Sequence, residues 1–477
     1  MKTECNPSLF EFQPLGGRQV TAKFDGGTIT SDAGGLLLRE VEAKAGIIQR
    51  FAECFVDFRS PGLLKHTVPE LLRQRIFGIA LGYEDLNDHE LLRFDPLMGV
   101  LVGKSEPPQG DRSDGESNGT PLAGKSTLNR LELTPGRASE KSRYKKIVAR
   151  RDLIEQFFVD MFIQLTGPEP EEIVLDLDAT DDPLHGHQSG RFFHGYYDGY
   201  CYLPLYIFCG ENLLCAKLRT SDIDGSAGSQ KMVSQIVARI RQAWPKVRII
   251  LRGDSGFCRE NLMVWCELNG VDYVFGLAKN KRLNAILGKE LHEAKLGCEQ
   301  TGNAFRVFKE FEYRTRKSWS RSRRVVGKAE HLPKGSNPRF VVTSLSADRY
   351  PPQALYEKLY CARGEMENRI KEQQRYLFAD RTSCQTMRAN QLRLWLSSVA
   401  YVLLQALRQH GLKKTELANA RCDTIRLKLL KLGAVVKISV RRVWFSLAQS
   451  YPYQTLFAQI LANLNAWTVR PLIFASD

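Results

Sequence analysis

No stretch of this chain approaches the roughly 18 uncharged apolar residues needed to span a bilayer, so no membrane segment is expected. The opening residues, MKTECNPSLFEFQPLGG, hold neither the basic region nor the apolar run of a secretory signal, and a cytoplasmic location is the expectation. Eleven cysteines are scattered from Cys5 to Cys422 without a single C-x-x-C pair. Disulfide frameworks belong to short secreted chains and zinc sites to tight ligand spacing, so neither is expected here. Histidine is scarce, at eight residues, and His185 and His187 have no Cys or third His at ligand spacing beside them. A loop role suits that HGH triplet better than metal binding. Internal repeats and low-complexity tracts are missing too.

Acidic residues are in deficit: 68 Lys and Arg face 53 Asp and Glu, a formal charge of +15 over 477 residues. The length allows two to four domains. The charge favours a polyanionic partner, nucleic acid before membrane surface. Between Arg388 and Arg442 stand twelve Lys or Arg and two acids, Glu416 and Asp423. A second basic run, RTRKSWSRSRR, sets Trp319 among arginines that include Arg321, Arg323 and Arg324, and a third extends from Arg137 to Arg151. Each alone could be a solvated face. Three of them around an acidic site favour DNA.

Residues 1–103 start with strands and turns (FDGGTITSDAGGLLLREVE) and continue as helices, VPELLRQRIFGIALGY and NDHELLR, with Asn87 as N-cap. Residues 104–120 are polar and rich in Gly, Pro and Ser, the composition of a flexible loop. A basic helix is expected over 138–166. The texture then changes. EEIVLDLDAT (171–180) reads as a buried strand, followed by strands at 199–208 and 212–221, a helix at 228–244, and a strand in KVRIILRGDSGF (246–257). A helix (ENLMVWCELNG), a strand (VDYVFGLA) and three antiparallel segments over 304–345 come next, then helix from Pro351 to about 432. This order predicts an α/β fold, a mixed sheet interrupted by a mostly β module.

Asp176 and Asp178 are two residues apart in one apolar strand and so share a sheet face. Buried carboxylates there need a partner, and a divalent cation is the usual one. The strand RIILRGDSGF ends at Asp254, where adjacent strand ends could meet. In YCARGEMENRIKEQQ, helical spacing puts Tyr360, Arg363, Glu367, Lys371 and Gln374 on one face, with Glu365 about 160° from Glu367. Helical geometry therefore favours Glu367 as the inward carboxylate, ahead of Glu365 and Glu372, with an ordinary surface helix laced with salt bridges as the alternative. Three converging carboxylates suit two Mg²⁺ about 3.5–4 Å apart, acting on a nucleic-acid phosphodiester.

Together these segments resemble the insertion-sequence family 1380 transposases, within the DDE transposases that carry a Tyr-Arg-Glu helix signature. The resemblance rests on FDGGTITSDAGGLLLRE, GYEDLNDHELLRFDP, LDLDAT with His185-Gly186, CYLPLYIF, LRGDSGF, VDYVFGLAKN, YCARGEMENRIKEQQ and TIRLKLLKLGA, and so spans most of the chain. It implies an RNase H-like catalytic core at 167–280, a β insertion at 281–350 and the glutamate helix at 351–384. A mostly helical DNA-binding and dimerisation region would occupy 1–166, and a basic helical region 385–477. It implies the catalytic, metal-holding triad Asp178, Asp254 and Glu367, with Asp178 chosen over Asp176 by the D-x-T pattern that Thr180 completes. Tyr360 and Arg363 match positions that contact phosphate near the cut, and a guanidinium can fork onto phosphate in any case. The wider signature puts a lysine where this chain has Gln374, and Lys371 could fill its role. Trp319 could stack on an unpaired base, with Arg321, Arg323 and Arg324 beside it on DNA.

The implied activity is cutting at the terminal inverted repeats of an insertion sequence and joining of the 3′-OH ends to target DNA. It would use two Mg²⁺ (Mn²⁺ can substitute), and a nucleoid-associated homodimer of bacterial type acting on double-stranded DNA. A metal-dependent nuclease of the same fold and an inactive DNA-binding derivative are the rival readings. GTPLAGKS (119–126) matches the phosphate-loop pattern, but GDRSDGESN before it is no buried strand, so nucleotide hydrolysis is not expected.

Overall fold

The computed structural model describes residues 9–108 and 119–471, so most of the loop expected at 104–120 lies outside the described residues. The chain divides into two compact units, Met1–Val148 with Val399–Thr468, and Ala149–Ser398 with Val469–Asp477.

The second unit is built on a nine-stranded mixed sheet. Its strands are β1 (Glu172–Ala179), β2 (Leu205–Cys209), β3 (Asn212–Lys217), β4 (Arg248–Gly253), β5 (Asp272–Leu277), β6 (Phe305–Tyr313), β7 (Arg323–Leu332), β8 (Gly335–Ser336) and β9 (Arg339–Thr343). They lie in the order β3-β2-β1-β4-β5-β9-β7-β6, with β8 paired to β7. β1, β2 and β3 are antiparallel neighbours, β4 and β5 run parallel to β1, and β9, β7 and β6 are again antiparallel.

Alternation along β1 decides what covers each face. Ile173, Leu175 and Leu177 join a large core with helices α1 (Arg151–Thr166), α2 (Ser229–Ala243) and α3 (Glu260–Leu268). On the opposite face Val174, Ile250 and Val274 pack with Leu355 and Tyr356. The sheet is thus covered on both faces, which is why its central strands are apolar.

The β segments expected as an interruption instead continue the same sheet. Helices Lys281–Ile286 and Gly288–Thr301 come first, and β9 then pairs directly with β5, Val274 opposite Thr343 and Phe275 opposite Val342. An apolar strand such as β5 cannot be left as an open edge, and β9 closes it.

The structure departs from the helical expectation at several points, among them the region expected as helical over 385–477, which holds a β-hairpin at Ala434–Leu447. Helix begins at Arg151, not 138, because the backbone N–H of Ser139 donates to the Ser142 hydroxyl and holds that stretch as a turn. Asp85, rather than Asn87, caps the turn at Leu86–Asp88, accepting from the Asn87 N–H. The stretch from Pro351 is broken where Phe378 adopts φ +61°, and helix resumes at Met387–Ala406.

In the first unit, helices Gly35–Ala45, Ile47–Glu53, Val68–Leu81 and Pro96–Val102 share the core with buried residues of the 399–434 stretch. Thr67 and Glu70 form a capping box at the start of Val68–Leu81. A three-stranded sheet places Ala434–Ser439 between Arg442–Leu447 and Ile29–Thr30. No strand precedes helix Lys125–Glu132 over residues 119–124, so GTPLAGKS lacks the setting of a phosphate loop. No described helix is long and apolar enough to cross a membrane, and no described cysteine is in a disulfide.

Gly34 ties two of the sequence motifs together, since a Cβ there would lie 1.8 Å from the Leu429 carbonyl oxygen. Gly34→Ala should therefore lower unfolding free energy by about 3 kcal/mol or more. Gly62→Ala, with no atom within 4 Å of the added methyl, is the control. Equal urea midpoints for the two variants would remove this contact from the account.

Candidate active site

β1 and β4 are parallel neighbours, and their register places Arg252 beside Asp176 and Gly253 beside Leu177. The next positions along each strand are Asp178 and Asp254. Two carboxylates distant in sequence thus meet at the carboxyl ends of adjacent strands, where open α/β sheets form their sites.

Asp176 is 2% exposed and bound bidentately by Arg252, with Nε to Oδ1 at 2.5 Å and Nη2 to Oδ2 at 2.7 Å. The third guanidinium nitrogen, Nη1, donates to the Leu359 carbonyl. One buried ion pair therefore joins two strands and fixes the segment that carries Tyr360.

That segment is irregular. The Cys361 N–H donates five residues back to Tyr356 O, Cys361–Arg363 forms a tighter turn, and the regular helix α4 runs Gly364–Leu377. Such local π geometry is frequent at functional sites. From the last turn before α4, Arg363 Nη2 donates to Asp178 Oδ1 at 3.1 Å and lies 3.3 Å from Glu367 Oε1. Glu367 keeps 43% of its side chain exposed. Burial pushes the Asp178 carboxyl up to about 6; Arg363 opposes this, while the negative charges of Asp254 and Glu367 add to it. Asp254 sits in a tight turn, its Oδ1 accepting from the Gly256 N–H at 2.8 Å.

Asp178, Asp254 and Glu367 therefore share one electrostatic neighbourhood with Arg363. Among the described residues, no group of three His, Cys, Asp or Glu side chains is arranged to hold a metal ion as it stands. The donor chemistry nonetheless fits a hard divalent cation, since Asp178, Asp254 and Glu367 offer carboxylate oxygens in one neighbourhood.

Residues 12–469 match the family model described as transposase DDE domain group 1. The chain belongs to this transposase family. No curated protein matches. Among solved structures, the chain is similar to the piggyBac transposase synaptic complex with hairpin DNA, determined by cryo-EM. Sequence identity is 11% and the TM-score 0.39, over 94% of this chain and 87% of that one.

Within this family member, the remaining expected site residues scatter. Glu365 is exposed, and Glu372 is buried against Arg369. Lys371 is exposed, whereas Gln374 donates to the Asp181 carbonyl just beyond β1. Trp319 is 5% exposed and packed edge-on against Tyr313, with Arg323 over its ring, so no face is open to a base. Arg323 and Arg321 pair with Glu267, Arg323 also with Glu260, and Arg324 with Glu310. These arginines hold the β6–β7 end of the sheet to α3 and to its own strand neighbours. His185 and His187 are exposed on a loop.

Three residues near the acids were not singled out from sequence: Arg252, Lys279 and Arg339. Arg252 carried a signal, a lone cation inside an apolar strand, which needs a buried partner. Its offset of two residues before Asp254 mirrors that of Asp176 before Asp178. Lys279 and Arg339 carried none.

The environments of Asp176 and Asp178 separate their roles. Asp176→Asn strands the buried Arg252 and should cost about 3–5 kcal/mol. Asp178→Asn relieves repulsion from Asp254 and Glu367, and its melting temperature should equal or exceed wild type. Comparable losses in both variants by thermal unfolding would overturn the distinction.

Proposed function

We propose that this DDE transposase cuts the phosphodiester at the terminal inverted repeats of its own insertion sequence and joins the freed 3′-OH ends to target DNA. We further propose that it belongs with the insertion-sequence family 1380, has an RNase H-like core and acts as a homodimer on two DNA ends. The observation that carries the reading is the register of β1 on β4, which sets Asp178 beside Asp254 while Arg363 draws Glu367 toward Asp178. The strand order third-second-first-fourth-fifth, with the acids leaving the first and fourth, supports the fold assignment.

Asp178, Asp254 and Glu367 would hold the Mg²⁺ ions. Bound there, divalent cations neutralise phosphate charge and raise the acidity of an attacking hydroxyl or water. Arg363 keeps two of the carboxylates aligned and presents a guanidinium suited to a phosphate oxygen. Arg252 and Asp176 hold the glutamate segment against the strand ends. Tyr360, beside Asp254, borders the same space.

A labelled duplex carrying the element's ends, incubated with Mg²⁺, tests the reading. Wild type should nick at the end, and Glu367→Gln should lose at least about 10³-fold in rate while binding DNA normally. Strand transfer distinguishes a transposase from a nuclease. Equal cleavage by both proteins would remove Glu367 from the site, and binding without cleavage by either would mark an inactive derivative.

For the DNA grip, the hairpin Ala434–Leu447 is the element proposed. Its cations Lys437, Arg441 and Arg442 are exposed, and Val440 at the tip is fully so. The tip has none of the Gly, Asn, Asp or Pro that turns favour. By contrast Arg408 is buried, Arg426 donates to Ala80 and Ile79 carbonyls, and Lys431 pairs with Asp32. A basic ribbon with an apolar tip complements a duplex groove. Replacing Arg441 and Arg442 with Ala should weaken binding to all duplexes alike and reduce the log–log salt slope by about 2. Unchanged DNA affinity with a shift from dimer to monomer in sedimentation would assign the hairpin to self-association instead.

A further inference from the structure

Beside Asp254 lies a cavity of about 390 Å³ that the acids alone do not explain. Asp254, Gly276, Lys279, Arg339, Tyr356 and Tyr360 line it. Its volume lies within the range of ligand-binding cavities, about 300–1,000 Å³. Tyr356 and Tyr360 stand with ring centroids 5.5 Å apart and form an aromatic wall.

The floor is built around a missing side chain. A Cβ on Gly276 would lie 2.6 Å from the Tyr360 hydroxyl and 2.9 Å from the Ser255 amide nitrogen. The cavity thus exists in this form only because β5 carries glycine where it passes the Asp254 turn.

The cations are what point to a ligand. Four other arginines on or beside this sheet, Arg252, Arg321, Arg323 and Arg324, are each ion-paired. Lys279 and Arg339 are exposed, and among the described residues neither forms a salt bridge, with Asp254 or any other acid. Were their role to neutralise Asp254, one would be within ion-pair reach. Two unneutralised cations, one just past the end of β5 and one opening β9, instead converge on a space with an aromatic wall, the pairing of groups that recognises a nucleotide's phosphate and its base or sugar.

We propose that this cavity binds one nucleotide unit of the DNA adjoining the bond to be cut, with Lys279 and Arg339 on its phosphate and Tyr356 and Tyr360 along its base or sugar. The site rests on the active-site reading above and extends it: Lys279 and Arg339 are positioning residues that seat the strand so that the neighbouring phosphodiester faces Asp254.

The test uses the full chain and a labelled duplex of the element's terminal sequence. Lys279→Ala/Arg339→Ala should raise Kd at least tenfold, reduce the log–log salt slope by about 2 and raise KM more than it lowers kcat. Lys279→Arg/Arg339→Lys should restore most of the affinity, and Lys295→Ala, an exposed cation on another helix, should behave as wild type. Both target side chains are exposed, so the variants should melt with wild type. Gly276→Ala, which narrows the floor, should weaken the same duplex without changing the salt slope.

Wild-type Kd and salt slope in the double variant, with Glu367→Gln inactive, would overturn the cavity assignment and leave the active-site reading intact. An unchanged Kd with an altered Mg²⁺ requirement would also overturn it, by assigning the two cations to Asp254 itself. Full cleavage by Glu367→Gln would sink the underlying reading instead.

Discussion

Inside an apolar sheet neither Asp176 nor Arg252 is stable alone, because an uncompensated buried charge costs several kcal/mol. Their bidentate contact fixes β1 and β4 in a single register, since a slip by one residue would send both groups to the wrong face. The remaining guanidinium hydrogen bond reaches Leu359 O, so the same pair sets where the following segment meets the sheet. Everything that faces the site from that segment, Tyr360, Arg363 and Glu367, is counted from this anchor. The local π turn at Tyr356–Cys361 adjusts the count.

With the strands locked, Asp178 and Asp254 are forced into neighbouring positions that like charges would otherwise avoid. Burial and the charges of Asp254 and Glu367 raise the Asp178 carboxyl, and Arg363 offsets part of that cost. A fold selected for stability alone would place an apolar residue at 178, as it does at Leu177. Retaining acids under mutual repulsion, at the open ends of parallel strands, is what a site for cationic or phosphate chemistry requires. The structure thus gives two aspartates, two residues apart, different partners: Asp176 is closed in an ion pair with Arg252, and Asp178 faces Arg363 and two further acids.

Much of this was legible in the chain. Asp176 and Asp178 share a face by strand alternation, and Asp254 follows an apolar run that could only be another central strand. Glu367 and Arg363 lie four residues apart, so their contact survives the irregular turn before them. What remained hidden depended on tertiary pairing. Antiparallel β segments look alike whether they form a separate module or extend an existing sheet; only the apolar edge of β5 decides, and that edge has no signature in its own sequence. Trp319 among arginines resembles a binding surface until Glu260 and Glu267 from α3 are seen to neutralise those arginines. Spacing along a chain cannot show which acids of another element will meet a cation.

That last point changes how a charge of +15 is understood. A polyanion does not meet the sum of lysines and arginines, but those whose field is left uncancelled at the surface, because a paired cation within a few ångströms of a carboxylate is nearly neutral beyond a Debye length. By that measure Arg321, Arg323 and Arg324, each paired with a glutamate, contribute architecture. Lys279 and Arg339 at the cavity, and Lys437, Arg441 and Arg442 on the hairpin, keep their fields. One group lies beside the acids and the other on a separate element of the fold. The proposed reaction would use that division, with dispersed cations to grip a duplex and a few confined ones to place the strand.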